Sequence, residues 1–74
     1  MPVKTELYDR TWLVKARARL GLTQAQAGEA SGISAGFYNK IEQGIQVPTV
    51  KHAIAISEAL NFDVKMFARE KKIG

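Results

Sequence analysis

The chain contains no cysteine, and this excludes several kinds of site at once. Without thiols it has no disulfides, no cysteine-based zinc site and no thiol nucleophile. Its single histidine, His52, has no second histidine as a partner, so metal ligation and acid–base catalysis are not expected. Glycine-rich phosphate loops and cooperating pairs of carboxylates are also missing. We therefore expect neither an enzyme nor a protein that needs a metal or cofactor.

Long apolar runs are lacking as well. The wholly apolar stretches extend over only a few residues, far short of the ~20 needed to span a bilayer. The N-terminal segment MPVKTEL lacks the apolar stretch of a signal peptide. These absences lead us to expect a cytoplasmic protein that does not enter the membrane.

Length and charge restrict the function further. The 74 residues, of which 46% are hydrophobic, can form one domain with one modest core but no large substrate cavity. A net charge of +4 favours a polyanionic partner without identifying it. The segment Leu22 to Gly44 contains one basic residue, Lys40, and two acidic residues, Glu29 and Glu42. Charge by itself is therefore a weak indicator of a polyanionic partner.

Strand patterns are absent, and the first of several short helices is predicted to begin near Asp9 or Thr11. It ends before Gly21, a residue that commonly terminates helices. Its apolar residues recur at helical spacing and are expected to face the core: Leu13, Ala16 and Leu20, with Trp12 beside them.

A second helix is predicted to follow Thr23 and to run to about Ala30. Thr23 and Gln26 have the spacing of a capping box, in which each residue's side chain bonds the other's backbone. The next segment, Ser31-Gly32-Ile33, is long enough only for a turn, and Gly32 is free to adopt positive φ.

The third predicted helix spans Ala35 to Gln43 and is capped by Ser34. Tyr38 and Ile41 lie three residues apart on its core face, and Gly44 provides a left-handed stop. Two short helices joined by a three-residue turn with a central glycine are typical of the helix-turn-helix motif.

The fourth predicted helix begins after its cap, Thr49, and ends at Asn61. Its core stripe comprises Val50, Ala53, Ile56, Ser57 and Leu60. Asp63 is predicted to cap a last short helix that buries Val64 and Phe67. The spacing therefore predicts an all-α fold in which every element is short.

Four short strings resemble the lambda-repressor-like (Cro and Xre) helix-turn-helix family over roughly Leu13 to Phe67. They are Gly21-Leu22-Thr23-Gln24, Gly32-Ile33-Ser34, Ile41-Glu42-Gln43-Gly44 and Pro48-Thr49. The resemblance implies a compact five-helix domain, with the motif as helices 2 and 3, that binds operator DNA, usually as a dimer. We accordingly place an N-terminal extension at 1–8, the DNA-binding domain at 9–69 and a C-terminal tail at 70–74.

The exposed face of the third helix supplies the candidate base contacts, unless it is simply a solvated surface. Asn39 can hydrogen-bond adenine, and Lys40 can donate to guanine or to phosphate. The Ala35 methyl group can meet a thymine methyl, and Gly36 lets the backbone approach closely. Gln43 lies on the same face at the end of the helix.

The resemblance implies further roles. Gln24 matches a residue that contacts phosphate and supports the recognition helix. The alternative is that its side chain only caps the start of the second helix or is solvated there. Arg17 and Glu42 match an ion pair between helices 1 and 3. Phe37 could pack against thymine methyls or fold back onto its own protein. The full predicted DNA-binding set is Gln24, Ser34, Ala35, Gly36, Phe37, Asn39, Lys40, Gln43, Gln46 and Lys51.

The predicted function is sequence-specific binding of double-stranded DNA by a small, repressor-like transcriptional regulator acting as a homodimer. Related sequences often carry basic residues in the loop Ile45 to Val47, whereas here it is largely apolar. This departure keeps an alternative open: a protein-interaction module such as the antitoxin of a toxin–antitoxin pair. Candidate dimer contacts are Leu7, Tyr8, Trp12, Phe62, Val64 and Phe67.

Overall fold

The computed structural model describes residues 8–70, and within this range the chain forms helices and no β-strand. The predicted all-α fold with five helices is confirmed. The helices are α1 (Thr11–Arg19), α2 (Gln24–Ser31), α3 (Ala35–Glu42), α4 (Val50–Leu60) and α5 (Met66–Arg69).

Three of the helices begin at the predicted caps. The Thr23 hydroxyl accepts from Gln26 N at 3.1 Å, and Gln26 Oε1 accepts from Thr23 N at 2.9 Å. Ser34 and Thr49 each accept from the backbone N–H three residues further on. Each cap stabilises its helix by about 1 kcal/mol. The turn between α2 and α3 closes at Gly32, whose φ of 75° is left-handed as predicted.

The core lies between α1, α2, α3 and α4, with α5 closing one side. Its buried cluster consists of Leu13, Ala27, Tyr38, Ile41, Ile56 and Leu60. Beside it, Trp12 packs edge-to-face against Phe62 and Phe67 with centroid distances of 5.1 and 5.0 Å. This aromatic cluster attaches α5 to α1.

Two residues of the predicted core stripes are exposed instead. Leu20 is 45% exposed because α1 ends at Arg19 and Leu20 lies in the turn that follows. Val50 is 77% exposed because it is the first residue of α4, where no neighbouring helix covers it. Helical spacing identifies a face, but burial also requires a partner element opposite that face. Val64 and Phe67 are likewise only half-buried.

The end of α3 is joined to the segment before α1 at Gly44. This glycine has a φ of 83°, and a Cβ atom there would overlap the backbone of Tyr8. Tyr8 N donates to Gly44 O at 3.2 Å. Residue 8 therefore contacts the domain although it falls in the predicted extension. Residues 1–7, which include Leu7, and residues 71–74 lie outside the described part of the chain.

Arg10 is a buried cation for which the sequence pattern predicts no role, and it connects three parts of the fold. Its guanidinium forms two bonds to the Glu70 carboxylate, at 2.6 and 2.7 Å. It also donates to Ile41 O at 2.5 Å and to Gln46 O at 3.1 Å. The centroid of the Phe67 ring lies 5.3 Å from Arg10 Cζ. Arg10 thus fixes the C-terminal end of α3 and the loop beyond it. Glu70 contacts the domain although it falls in the predicted tail.

Candidate nucleic-acid interface

Helix α3 has one buried face and one open face. Tyr38 and Ile41 are fully buried and anchor the helix to the core. On the open side, Asn39 is half-buried and the other predicted base contacts are exposed: Ala35, Gly36, Lys40 and Gln43. The structure therefore brings these five predicted residues together on one surface.

Gly28 and Gly36 both lie inside helices of the motif, but their surroundings differ. A Cβ atom at Gly28 in α2 would lie 3.1 Å from Ile33 O, so a larger residue there would press on the backbone of the turn. A Cβ atom at Gly36 would meet no heavy atom within 4 Å. Glycine inside a helix costs about 0.5–1 kcal/mol relative to alanine. The fold itself gains nothing from Gly36, so its small size is available to a molecule approaching α3.

A chain of hydrogen bonds runs from α1 to the open face of α3. Arg17 Nε and Glu42 Oε2 form an ion pair at 2.5 Å, between the two residues for which one was expected. Gln24 Nε2 donates to Glu42 Oε1 at 2.9 Å, and Gln24 Oε1 accepts from Asn39 Nδ2 at 2.7 Å. Arg17 also donates to Leu22 O at 2.8 Å. Both ends of the Gln24 amide are therefore engaged within the protein, which braces α3 against α2.

The ionisation of Glu42 reflects these contacts. Burial by itself raises the pKa of this carboxyl group, but hydrogen bonds from Arg17 and Gln24 outweigh that effect and lower its pKa below the ordinary value of 4.5. The buried Tyr38 hydroxyl lies beside the same carboxylate but has no partner at hydrogen-bond geometry. Burial, reinforced by the negative charge of Glu42, raises the pKa of Tyr38.

We expect the domain to lose stability as pH falls below 4.5, the ordinary pKa of a glutamate. The unfolded chain protonates Glu42 first, so its contribution to stability disappears as pH falls through the lower pKa of the folded state. Urea unfolding between about pH 3 and 7 measures this dependence. Glu42→Gln should be less stable at neutral pH and lose less stability on acidification. Equal losses in the two proteins would contradict the assignment.

Phe37 does not join the open face. Its ring packs edge-to-face on His52 at a centroid distance of 5.4 Å and lies against the core cluster. Phe37 precedes Ile41 by four residues, so the helix places it on the flank of the core face. Of the two placements considered for this ring, the structure shows the one folded back onto the protein, and we no longer count Phe37 among the base contacts.

The remaining predicted contacts surround α3. Ser34 is exposed at the start of α3, and Lys51 is exposed in the first turn of α4. The backbone of Gln46 is committed to the fold, since its N–H donates to Lys40 O at 3.2 Å and its carbonyl accepts from Arg10. Its half-buried side chain has no assigned partner. The helix starts that carry Gln24, Ser34 and Lys51 present unpaired N–H groups suited to an anion.

The described residues offer neither a metal-binding cluster nor a membrane-spanning helix. No three histidine, aspartate or glutamate side chains between residues 8 and 70 are grouped so that they could hold a metal ion. Within the same range, none of the helices has the length and apolar character needed to cross a membrane.

Comparison with known proteins agrees with this geometry. A family model described as helix-turn-helix matches residues 13–67. The chain is 38% identical over 58 residues to YqaF, an uncharacterized HTH-type transcriptional regulator of Bacillus subtilis strain 168, and the match covers 78% of this chain and 76% of that protein. No solved structure matches the chain significantly. The chain therefore belongs to the Cro/Xre-like helix-turn-helix family of DNA-binding transcriptional regulators.

Proposed function

We propose that the protein is a sequence-specific, repressor-like regulator that reads the major groove of double-stranded DNA with α3. The observation that carries this proposal is the open face of α3, where small residues lie beside a carboxamide and an ammonium group. A recognition helix must approach base edges closely while its opposite side stays fixed to the protein. The fully buried Tyr38 and Ile41 hold α3 in this way.

Each residue of the open face has a chemical role in this proposal. Asn39 hydrogen-bonds an adenine, and Lys40 donates to guanine O6 and N7 or to a phosphate. Ala35 places a methyl group against a thymine methyl, and Gly36 lets the α3 backbone come near the base edges. Gln43 extends the same surface toward the C-terminal end of the helix.

Phosphate contacts position α3 in the groove. We assign them to the starts of three helices: Gln24 in α2, Ser34 before α3 and Lys51 in α4. Backbone N–H groups at these ends favour anions, and the Lys51 ammonium adds a positive charge. Gln46 is proposed to contact the backbone from the loop after α3. These contacts supply affinity and register but carry no sequence information.

Alanine substitutions on α3 test the reading face. An operator is first selected from a random duplex pool, and Asn39→Ala and Lys40→Ala are then compared with the parent. Each should bind the operator about 5- to 150-fold more weakly, because a good base contact is worth about 1–3 kcal/mol. Lys65→Ala, an exposed lysine next to α5, serves as the control and should bind like the parent. Parental affinity for both α3 variants would disprove this reading face.

We further infer that the protein binds as a homodimer, which lets two copies of α3 enter successive major grooves about 34 Å apart. An apolar patch suits the contact between copies: Ile45, Val47 and Val50 are 50%, 57% and 77% exposed. A groove of about 280 Å³ lies beside it, lined in part by Pro48, Ala53 and Val64. Exposed apolar clusters of this kind mark protein-binding surfaces.

The sequence-based candidates for dimer contacts need revision. Trp12 and Phe62 pack against each other and against the core, so their rings are already engaged within the protein. Val64 and Phe67 line the groove and remain candidates. Tyr8 is occupied with Gly44 and with the Arg10 guanidinium, 5.2 Å from its ring.

A charged residue placed in the apolar patch of Ile45, Val47 and Val50 should dissociate the dimer. Sedimentation velocity of the parent, alone and with operator, is expected to show a dimer. Val50→Lys is expected to be monomeric and equally helical, because a lysine in an apolar contact must be desolvated. Val14→Lys alters an exposed apolar residue of α1 outside the groove and should remain dimeric. If the Val50→Lys variant remains dimeric, the dimer interface must lie on another surface of the protein.

The same patch also favours a second candidate function, a protein-interaction module such as an antitoxin. Salt dependence distinguishes the two. A DNA reader loses affinity for nonspecific duplex steeply as salt rises, since binding releases counterions. A pure protein adaptor binds little duplex at any salt concentration.

A further inference from the structure

We propose that Glu42 is a specificity-determining residue, which controls the bases that Asn39 accepts by fixing the orientation of two side-chain amides in series. Glu42 is the last residue of α3, and its side chain is buried, only 4% exposed. It has this role only if α3 reads DNA as proposed above. Its influence is transmitted through Gln24, which contacts both Glu42 and Asn39.

The first step concerns the contact between Glu42 and Gln24. An ionised carboxylate has acceptors and no donor, and Glu42 is held ionised by Arg17 at 2.5 Å. The Gln24 atom that lies 2.9 Å from Glu42 Oε1 must therefore be the amide nitrogen. The Gln24 oxygen is then forced to the other side, toward α3.

The second step repeats this logic at Asn39. The Gln24 oxygen can only accept, so the Asn39 atom 2.7 Å away must be the amide nitrogen. Asn39 Oδ1 makes no hydrogen bond within residues 8–70 and remains available at the open face of α3, together with the second Nδ2 hydrogen. An outward acceptor matches the exocyclic amino groups of adenine and cytosine. With the free hydrogen directed at N7, adenine fits best.

Without the negative charge of Glu42, the orientation of the Gln24 and Asn39 side-chain amides is no longer fixed. A glutamine at position 42 can donate or accept, so the amides of Gln24 and Asn39 can reverse together and keep both bonds of the Gln24 amide, with the loss of one Arg17 contact to residue 42. A reversed Asn39 presents its amino group to the groove, where guanine O6 and thymine O4 are acceptors. Glu42→Gln is therefore expected to broaden base preference without removing Asn39.

The orientation is tested first in the free protein by NMR. Scalar coupling across a hydrogen bond, from Asn39 Nδ2 to the side-chain carbonyl carbon of Gln24, should be present in the parent and weakened in Glu42→Gln. Arg17→Lys keeps a cation beside Glu42, so the carboxylate stays ionised and the coupling should be retained. Absence of this coupling in the parent would overturn the inference, whether or not the protein binds DNA.

Base preference is tested second, with operator duplexes that carry all four bases at each position in turn. The position read by Asn39 is the one where Asn39→Ala abolishes preference. There the parent should favour adenine over guanine or thymine by about tenfold or more, and Glu42→Gln by less than about threefold. Arg17→Lys should retain the parental ratio, because it keeps the positive charge beside Glu42 although it loses the paired guanidinium contacts.

Gln24→Ala keeps the test valid if Glu42→Gln does not fold. It leaves the Arg17–Glu42 pair intact and interrupts the chain, so it should relax preference at the same position. If Glu42→Gln folds and keeps the parental preference, or Gln24→Ala does so, Glu42 has no such role and the reading function of α3 still stands. A parent that binds no duplex, or shows no position dependent on Asn39, would instead overturn both proposals.

Discussion

Replacing Arg10 with methionine should lower the free energy of unfolding by about 3–5 kcal/mol, the usual effect of removing one partner from a buried ion pair. The Arg10 side chain is fully buried and that of Glu70 is 4% exposed. Methionine retains much of the apolar stem but leaves the Glu70 carboxylate without its cation. It also removes the donor to two carbonyl groups, those of Ile41 and Gln46.

Such a loss is large for this domain. Small domains are stable by only about 5–15 kcal/mol, and a chain of 74 residues without disulfides belongs at the lower end. Arg10→Met should therefore be close to unfolded at 37 °C. Urea denaturation followed by circular dichroism measures the change, with Arg19→Met, an exposed arginine of α1, as the control.

A double variant separates the ion pair from general packing. Arg10→Met combined with Glu70→Met removes both charges, so no unpaired carboxylate stays buried, and part of the lost stability should return. A loss below about 1 kcal/mol in Arg10→Met would show that the guanidinium contributes no more than a surface pair does. DNA affinity should fall together with the folded fraction, because Arg10 holds the end of α3.

The contrast between Arg10 and the helix caps shows what the sequence could reveal. Thr23, Ser34 and Thr49 each bond a backbone group three residues away, so their roles follow from local spacing. Arg10 and Glu70 lie 60 residues apart, and no periodicity connects them. The expected pair of Arg17 and Glu42 came from family resemblance and not from spacing.

The exposed Val50 and the inward Phe37 have a related physical cause. The spacing of residues along a helix tells on which face a side chain lies, but not whether a neighbouring element covers that face. Val50 lies at the correct angle at a helix end that no element covers, and Phe37 lies on the flank where His52 receives its ring. Gly28 and Gly36 likewise look equivalent in the sequence, and only the surrounding atoms distinguish them.

Gly36→Glu should make the protein more stable and nearly abolish operator binding. Position 36 is the second residue of α3, where a side chain meets no neighbouring atom. Replacing a helical glycine with glutamate gains about 0.5–1 kcal/mol, and a negative charge near a helix N-terminus adds a few tenths. The same carboxylate would enter the groove between phosphates and base acceptors, which should reduce affinity about 100-fold or more.

The opposite signs of these two effects make the test decisive. A variant that melts higher yet binds more weakly cannot have lost affinity through unfolding, since an impaired fold would lower both quantities. Gly36→Ala is the matched control: it should gain similar stability and lose less affinity, because a methyl group occupies the approach without adding charge. Parental affinity in Gly36→Glu would show that DNA does not approach the start of α3, and the reading surface would then have to lie elsewhere.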